Sequence, residues 1–199
     1  MKRILLILLI VVSSISSIAQ SPIPMGLLGC DINNSVHELK MHLIKEKGFE
    51  IDFNENLHKI YKNTMHSTIA SRIALIFEHA GVNINEEDIF VSGLEFDLLN
   101  GSFDNTLDCS IAMQSINDKI VMIIVRCYLE TDNDRRAFHK IENLYKNKYG
   151  EGAVNLNHYL NEYDGKLWEI LVTEDTILYF NFKDAVDAYK NHKTDTLMI

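Results

Sequence analysis

The chain has 199 residues but only two prolines, one tryptophan and three cysteines. Both prolines, Pro22 and Pro24, lie near the N-terminus, and glycine is ordinary, so no linker or low-complexity tract is evident. No apolar run reaches the roughly 20 residues that a spanning helix needs; Ile4 to Val12 is far shorter. Basic residues are in deficit. Without Lys2 and Arg3, 17 of them face 28 acidic residues, a formal charge of −11. Nucleic acid and anionic membrane are therefore disfavoured as partners, because both require clustered Lys and Arg. Metal and nucleophile signatures are missing as well: there is no HExxH, CxxC, HxH or G-x-S-x-G.

Three cysteines allow at most one intramolecular bridge. A hairpin turning near Ile116-Asn117 sets Cys109 and Cys127 on neighbouring strands a few residues out of register. That offset misses the Cα–Cα window for a disulfide, about 4.4–6.8 Å. Both are expected as small apolar core residues.

Residues 1–19 read as a secretory signal peptide. Lys2 and Arg3 supply the positive region, Ile4 to Val12 the apolar region, and Ser17-Ile18-Ala19 the small residues before cleavage at Ala19/Gln20. The expected location is periplasmic or secreted. A competing reading treats Leu27-Leu28-Gly29-Cys30 as a lipobox with Cys30 acylated; its distance from Val12 argues against it. Residues 20–199 fall within the size of one domain.

Along that domain, Leu28 to Ile32 reads as a short strand. Ser35 caps a helix with Glu38 three residues on, and Gly48 ends it ahead of Phe49. Phe49 to Phe53 reads as a strand, 54–67 as a loop with a short strand near His58 to Tyr61, and Ser67 to Ala80 as a helix with Ile69, Ile73, Ile76, Phe77 and Ala80 inward. Ile89 to Leu99 is a strand, followed by Asn100-Gly101 as a type I′ turn.

From Phe103 the pattern alternates. Phe103, Leu107, Cys109, Ile111 and Met113 take one face, and Asp104, Thr106, Asp108 and Ser110 the other. Ile120 to Val125 is apolar on both faces and should be the central strand. A helix starts at Thr131 or Asp132 and ends at Gly150, with Ala137, Phe138, Ile141, Leu144, Tyr145 and Lys148 along its buried stripe. Three further strands, 157–163, 166–173 and 176–182, turn at Asp164-Gly165 and Glu174-Asp175, and a short helix spans Lys183 to His192.

No residue set converges on a cofactor or metal. His37 and His42 are on different helix faces, and His66 and His79 lie at opposite ends of one helix. The acidic stretch from Glu130 to Asp134 fails as a calcium loop, since Ala137 and Asn143 stand where Gly and Glu are required. Cys127 with His139 is the one conceivable nucleophile and base. The aromatic residues are unevenly placed: ten of eighteen lie between Phe138 and Tyr189. Tyr159 and Tyr163 share a strand face, and Trp168 pairs near Asn161 across the turn. An exposed platform for a glycan or peptide is one reading, and core packing the other.

LGCDINNSVHEL, a helix ending in KEKGF, LNGSFDN before a strand pair, a helix ending in NKYG and a last strand running into FKD also form a set. In these segments, and in a leader ending Ala-Gln, the chain resembles an uncharacterised family of small exported, signal-peptide-bearing proteins of Bacteroides-type bacteria. Gly29, Ile32, Asn33, Asn34, Ser35, Lys47, Gly48 and Phe49 carry the match; Cys30 and Asp31 depart from it, where the family has an aliphatic residue and proline. The resemblance implies an exported location, an α+β fold and Cys30 as a strand residue, and no activity.

The expected architecture is one α+β domain, a mainly antiparallel sheet with helices packed on one face. The expected function is a non-catalytic binding module for a protein, peptide or glycan of the cell envelope, with Tyr159, Tyr163 and Trp168 as the binding residues. The alternative is a small hydrolase using Cys127 or a carboxylate pair.

Overall fold

The computed structural model describes residues 26–86, 89, 94–103, 106–150, 157–163 and 165–196. The stretch expected to be a signal peptide, residues 1–19, and its expected cleavage site lie outside them. In chain order the elements are β1 (Gly26–Leu27), β2 (Cys30–Asp31), α1 (Val36–Lys47), β3 (Glu50–Ile51), α2 (Glu55–His79), β4 (Leu94–Phe103), β5 (Leu107–Ile116), β6 (Lys119–Cys127), α3 (Asp132–Tyr149), β7 (Asn157–Tyr163), β8 (Lys166–Val172), β9 (Thr176–Asn181) and α4 (Phe182–Thr196). β1 and β2 form a small hairpin around Leu28-Gly29, where a single strand was expected. The other seven strands make one antiparallel sheet in the order β3-β4-β5-β6-β9-β8-β7. The fold is α+β, and β6 is its middle strand.

Both faces of β6 are sealed. Leu99, Ile111, Val125, Ile177 and Val172 lie in register across five strands and pack against α1 and α3. One residue along, Leu98, Ala112, Ile124 and Leu178 lie in register on the opposite face, against α2 and α4. The helices therefore divide between the two faces rather than covering one. A strand that is apolar on both sides requires this, because each uncovered large side chain forfeits about 1.5–3 kcal/mol of burial.

Local chemistry sets the helix ends. Ser35 accepts from the Glu38 amide at 3.1 Å, and Gly48, in the left-handed region, ends α1. Thr131 and Asp134 form a reciprocal capping box on α3. Asn181 accepts from the Asp184 amide at the start of α4. α2 is the larger surprise, running 25 residues through the stretch expected to be a loop. Asn54 caps it, accepting from the amides of Asn56 and Leu57, and Leu57, Tyr61, Met65, Ile69, Ile73 and Phe77 recur every fourth residue along its sheet-facing side. On α3, Leu144, 65% exposed, and Lys148, also exposed, depart from the expected stripe, while Phe138 is buried and Ala137, Ile141 and Tyr145 pack against the core.

Asn100-Gly101 is not a turn. Both sit inside β4, opposite Ser110 and Cys109. The reversal comes later, with the Thr106 amide donating to Phe103 O at 2.9 Å. Gly101 is needed for space: a Cβ there would stand 2.5 Å from the Phe49 ring. Phe49, just before β3, lies across the glycine and fills the gap left by its missing side chain, a packing known to rescue glycine in sheets. Gly101→Ala should destabilise the chain by about 1–3 kcal/mol in denaturant unfolding, the usual cost of overpacking. Phe49→Leu combined with it should restore part of the loss.

Candidate functional site

Two of the three residues singled out for binding, Tyr159 and Trp168, are core. Trp168 is 0% exposed, and its Nε1 donates to Asn33 Oδ1 at 3.1 Å, in the loop before α1. Tyr159, opposite Ile170, is buried as well. Its ring lies 5.8 Å from that of Tyr149, which lies 5.9 Å from Tyr145. The Tyr145 and Tyr179 hydroxyls hydrogen-bond each other. This aromatic ladder packs in the layer between the sheet and α3, so Tyr159 and Trp168 form no open platform. Burial pushes Tyr145 up to about 12 and Tyr179 well above its ordinary value, so neither exchanges a proton near neutral pH. Asn161 is the register partner of Trp168 on the neighbouring strand; the side chains of Asn161 and Tyr163 lie outside the described residues.

The candidate nucleophile fares no better. Cys127 is buried, and desolvation pushes its thiol up to about 12. His139 is a surface residue whose Nδ1 is 2.9 Å from Glu142 Oε2. A thiol that stays protonated is inert as a nucleophile. Among the described residues no group of three His, Cys, Asp or Glu could hold a metal ion, and no helix is long and apolar enough to cross a membrane.

What the fold does assemble is a polar network at the end of the sheet where β3, β4 and β5 meet the first turns of α2. Asp52 Oδ1 accepts from the Asn54 amide at 2.6 Å, and Asp52 Oδ2 accepts from Asn100 Nδ2 at 2.6 Å. The Ser110 hydroxyl donates to Asn100 Oδ1 at 2.7 Å and is hydrogen-bonded to the Tyr128 hydroxyl. Tyr61 comes down from α2 onto Ser110 and Arg126, and burial raises its pKa. Arg126 in turn pairs with Asp175 at 3.4 Å. His58 reaches back to the Asp52 carbonyl and sets its ring 5.3 Å from Phe96.

Alternation along the strand places Ser110 on an outward face. That face does alternate away from the first core, but α2 covers it, so the serine is buried and must be satisfied by partners. The signal was a polar residue on a strand otherwise buried on both sides. The network can position groups but has little catalytic capacity. Ser110 gives its proton to a neutral amide, and the one imidazole present bonds a backbone carbonyl instead.

Around this network lie exposed apolar side chains. Phe53, between Asp52 and the Asn54 cap, is 84% exposed, and Ile60 on α2 is 60% exposed; Ile51 and Tyr128 are also open to solvent. Farther along α2, Arg72 crosses to the sheet and sets its Nε 2.7 Å from Glu169 Oε2, with Glu169 almost fully buried.

Comparison with protein-family models, curated proteins and solved structures finds no match to this chain.

Two measurements follow from this geometry. Ser110→Ala leaves Asn100 Oδ1 and the Tyr128 hydroxyl each short of a partner, and should cost about 1–3 kcal/mol in denaturant unfolding. His66 is half-buried on α2 and its pKa is lowered, first by desolvation and then by Lys62. It binds its proton more readily in the unfolded chain. Its contribution is therefore neutral above the unfolded pKa of about 6.5 and becomes destabilising as pH falls below it. Stability should drop between pH 7 and pH 5, and His66→Gln should flatten that slope.

Proposed function

We propose that the chain is an exported, non-catalytic binding module for a protein or peptide partner, which it engages through the β3–α2 corner. The observation that carries this reading is the exposure of Phe53 and Ile60, with Ile51, beside a network that fixes the backbone beneath them. Exposed large apolar side chains next to ordered polar groups are the composition of an interface core and rim. A rigid base lowers the ordering cost of binding. Export rests on the charged and apolar regions of residues 1–19, and the acidic balance of the remainder disfavours nucleic acid. A protein or peptide is favoured over a glycan because Tyr159 and Trp168, the residues suited to sugar stacking, are committed to the core. Burial of Cys127 speaks against the cysteine form of the hydrolase reading.

The immobilised full chain should retain a discrete set of envelope proteins or peptides. Phe53→Ser with Ile60→Ser should lose them while unfolding within about 0.5 kcal/mol of the wild type, since both sites are on the surface. Equal capture by the wild type and the variant would remove the corner from the account.

A further inference from the structure

The register of the central hairpin brings Cys109 and Cys127 face to face. They are direct cross-strand partners, not residues offset along neighbouring strands. The reversal uses Asn117 and Asp118, both in the left-handed region, and a bulge at Gln114/Ser115 shifts the ladder. Together these undo the offset expected from a turn at Ile116-Asn117.

The hydrogen bonds fix the kind of pair. The Tyr128 amide donates to Asp108 O at 2.8 Å, so Asp108 and Tyr128 carry the bond between the strands. The Cys127 amide donates at 2.8 Å to Asp175 O, on the opposite side of β6. Cys109 and Cys127 therefore form a non-hydrogen-bonded pair, in which Cα atoms stand about 4.5 Å apart and side chains approach closest. That separation is inside the disulfide window of about 4.4–6.8 Å. Both side chains point into the core beneath α3, and both are free thiols here. Cys30, on the small hairpin before α1, is not their partner.

We propose that Cys109 and Cys127 close a cross-strand disulfide when the chain folds under oxidising conditions. One thiolate attacks an external disulfide, of a protein or small-molecule oxidant, and releases a first thiol. The second cysteine then displaces the remaining half, forming the Cys109–Cys127 S–S bond. Both electrons end on the oxidant, which leaves as two thiols carrying the two protons. Burial raises both thiol pKa values, so exchange belongs to the folding chain, before α3 covers the hairpin. The sealed bridge is then shielded from reductant. Its occurrence in the cell rests on the exported location proposed above; its chemistry does not.

The test starts from the full chain carrying Cys30→Ser, reduced and unfolded. It is refolded in mixtures of glutathione and glutathione disulfide, quenched with acid, alkylated and peptide-mapped. The expected product is two hydrogens lighter, links the Cys109 and Cys127 peptides, and melts about 5–10 °C above the reduced form. A natively folded chain that keeps both thiols at every redox ratio would overturn the proposal. So would a melting temperature that still follows redox ratio in the Cys109→Ala/Cys127→Ala variant. The same mapping on wild-type chain from the envelope and cytoplasmic fractions of cells separates the two claims. A bridge formed on refolding, with the chain found reduced in the cytoplasm, supports the disulfide and removes the export reading.

Discussion

The structure depends on one strand. β6 is apolar on both sides, and Ile120 to Val125 can be buried only if a layer covers each face of the sheet. The rest of the architecture answers that constraint. β5 and β9 flank β6, α1 and α3 close one side, and α2 and α4 close the other. Antiparallel sheets often leave one face to water; a middle strand of this composition forbids it.

That constraint explains where polar residues had to be managed. On the α2 side, Ser110, Asp52 and Glu169 are taken out of water, and the first two are joined through hydrogen bonds to the half-buried Asn100. Glu169 is met instead by Arg72 from the helix above. A buried carboxylate without such a partner would cost several kcal/mol, so the length of α2 and the chemistry beneath it are linked. The network ties the short edge strand β3 to the sheet and holds the corner where Phe53 and Ile60 are exposed.

Much of the fold was legible in the sequence because it is encoded locally. Ser35, Gly48, Thr131 and Asp134 act through neighbours in the chain, and each does what its position implies. The central place of Ile120–Val125 followed from its composition, and the same observation already implied cover on both faces. What was hidden depends on distant partners. Asn100-Gly101 has a strong turn preference, yet Phe49, just before β3, turns the glycine into a packing site. The first half of α2 has a stripe spaced by four through Leu57 and Tyr61, diluted by polar residues that only the covering sheet explains. The alternation of Tyr159 and Trp168 fits a platform as well as core, with core favoured by the usual burial of large aromatics; the position of α3 and of Asn33 decides for core. The polar network joins residues far apart in the chain, Asp52 and Asn100 being 48 positions apart, and left no local pattern to read.

The central claim is that β6 is sealed on both faces and opens only with the whole domain. Native-state hydrogen exchange, followed residue by residue, tests it most directly. Amides of Ile120 to Val125 should exchange with the free energy and denaturant dependence of global unfolding, while those of the edge strand β3 exchange through smaller openings. Exchange at Ile120 to Val125 as fast as at Glu50 and Ile51 would contradict it.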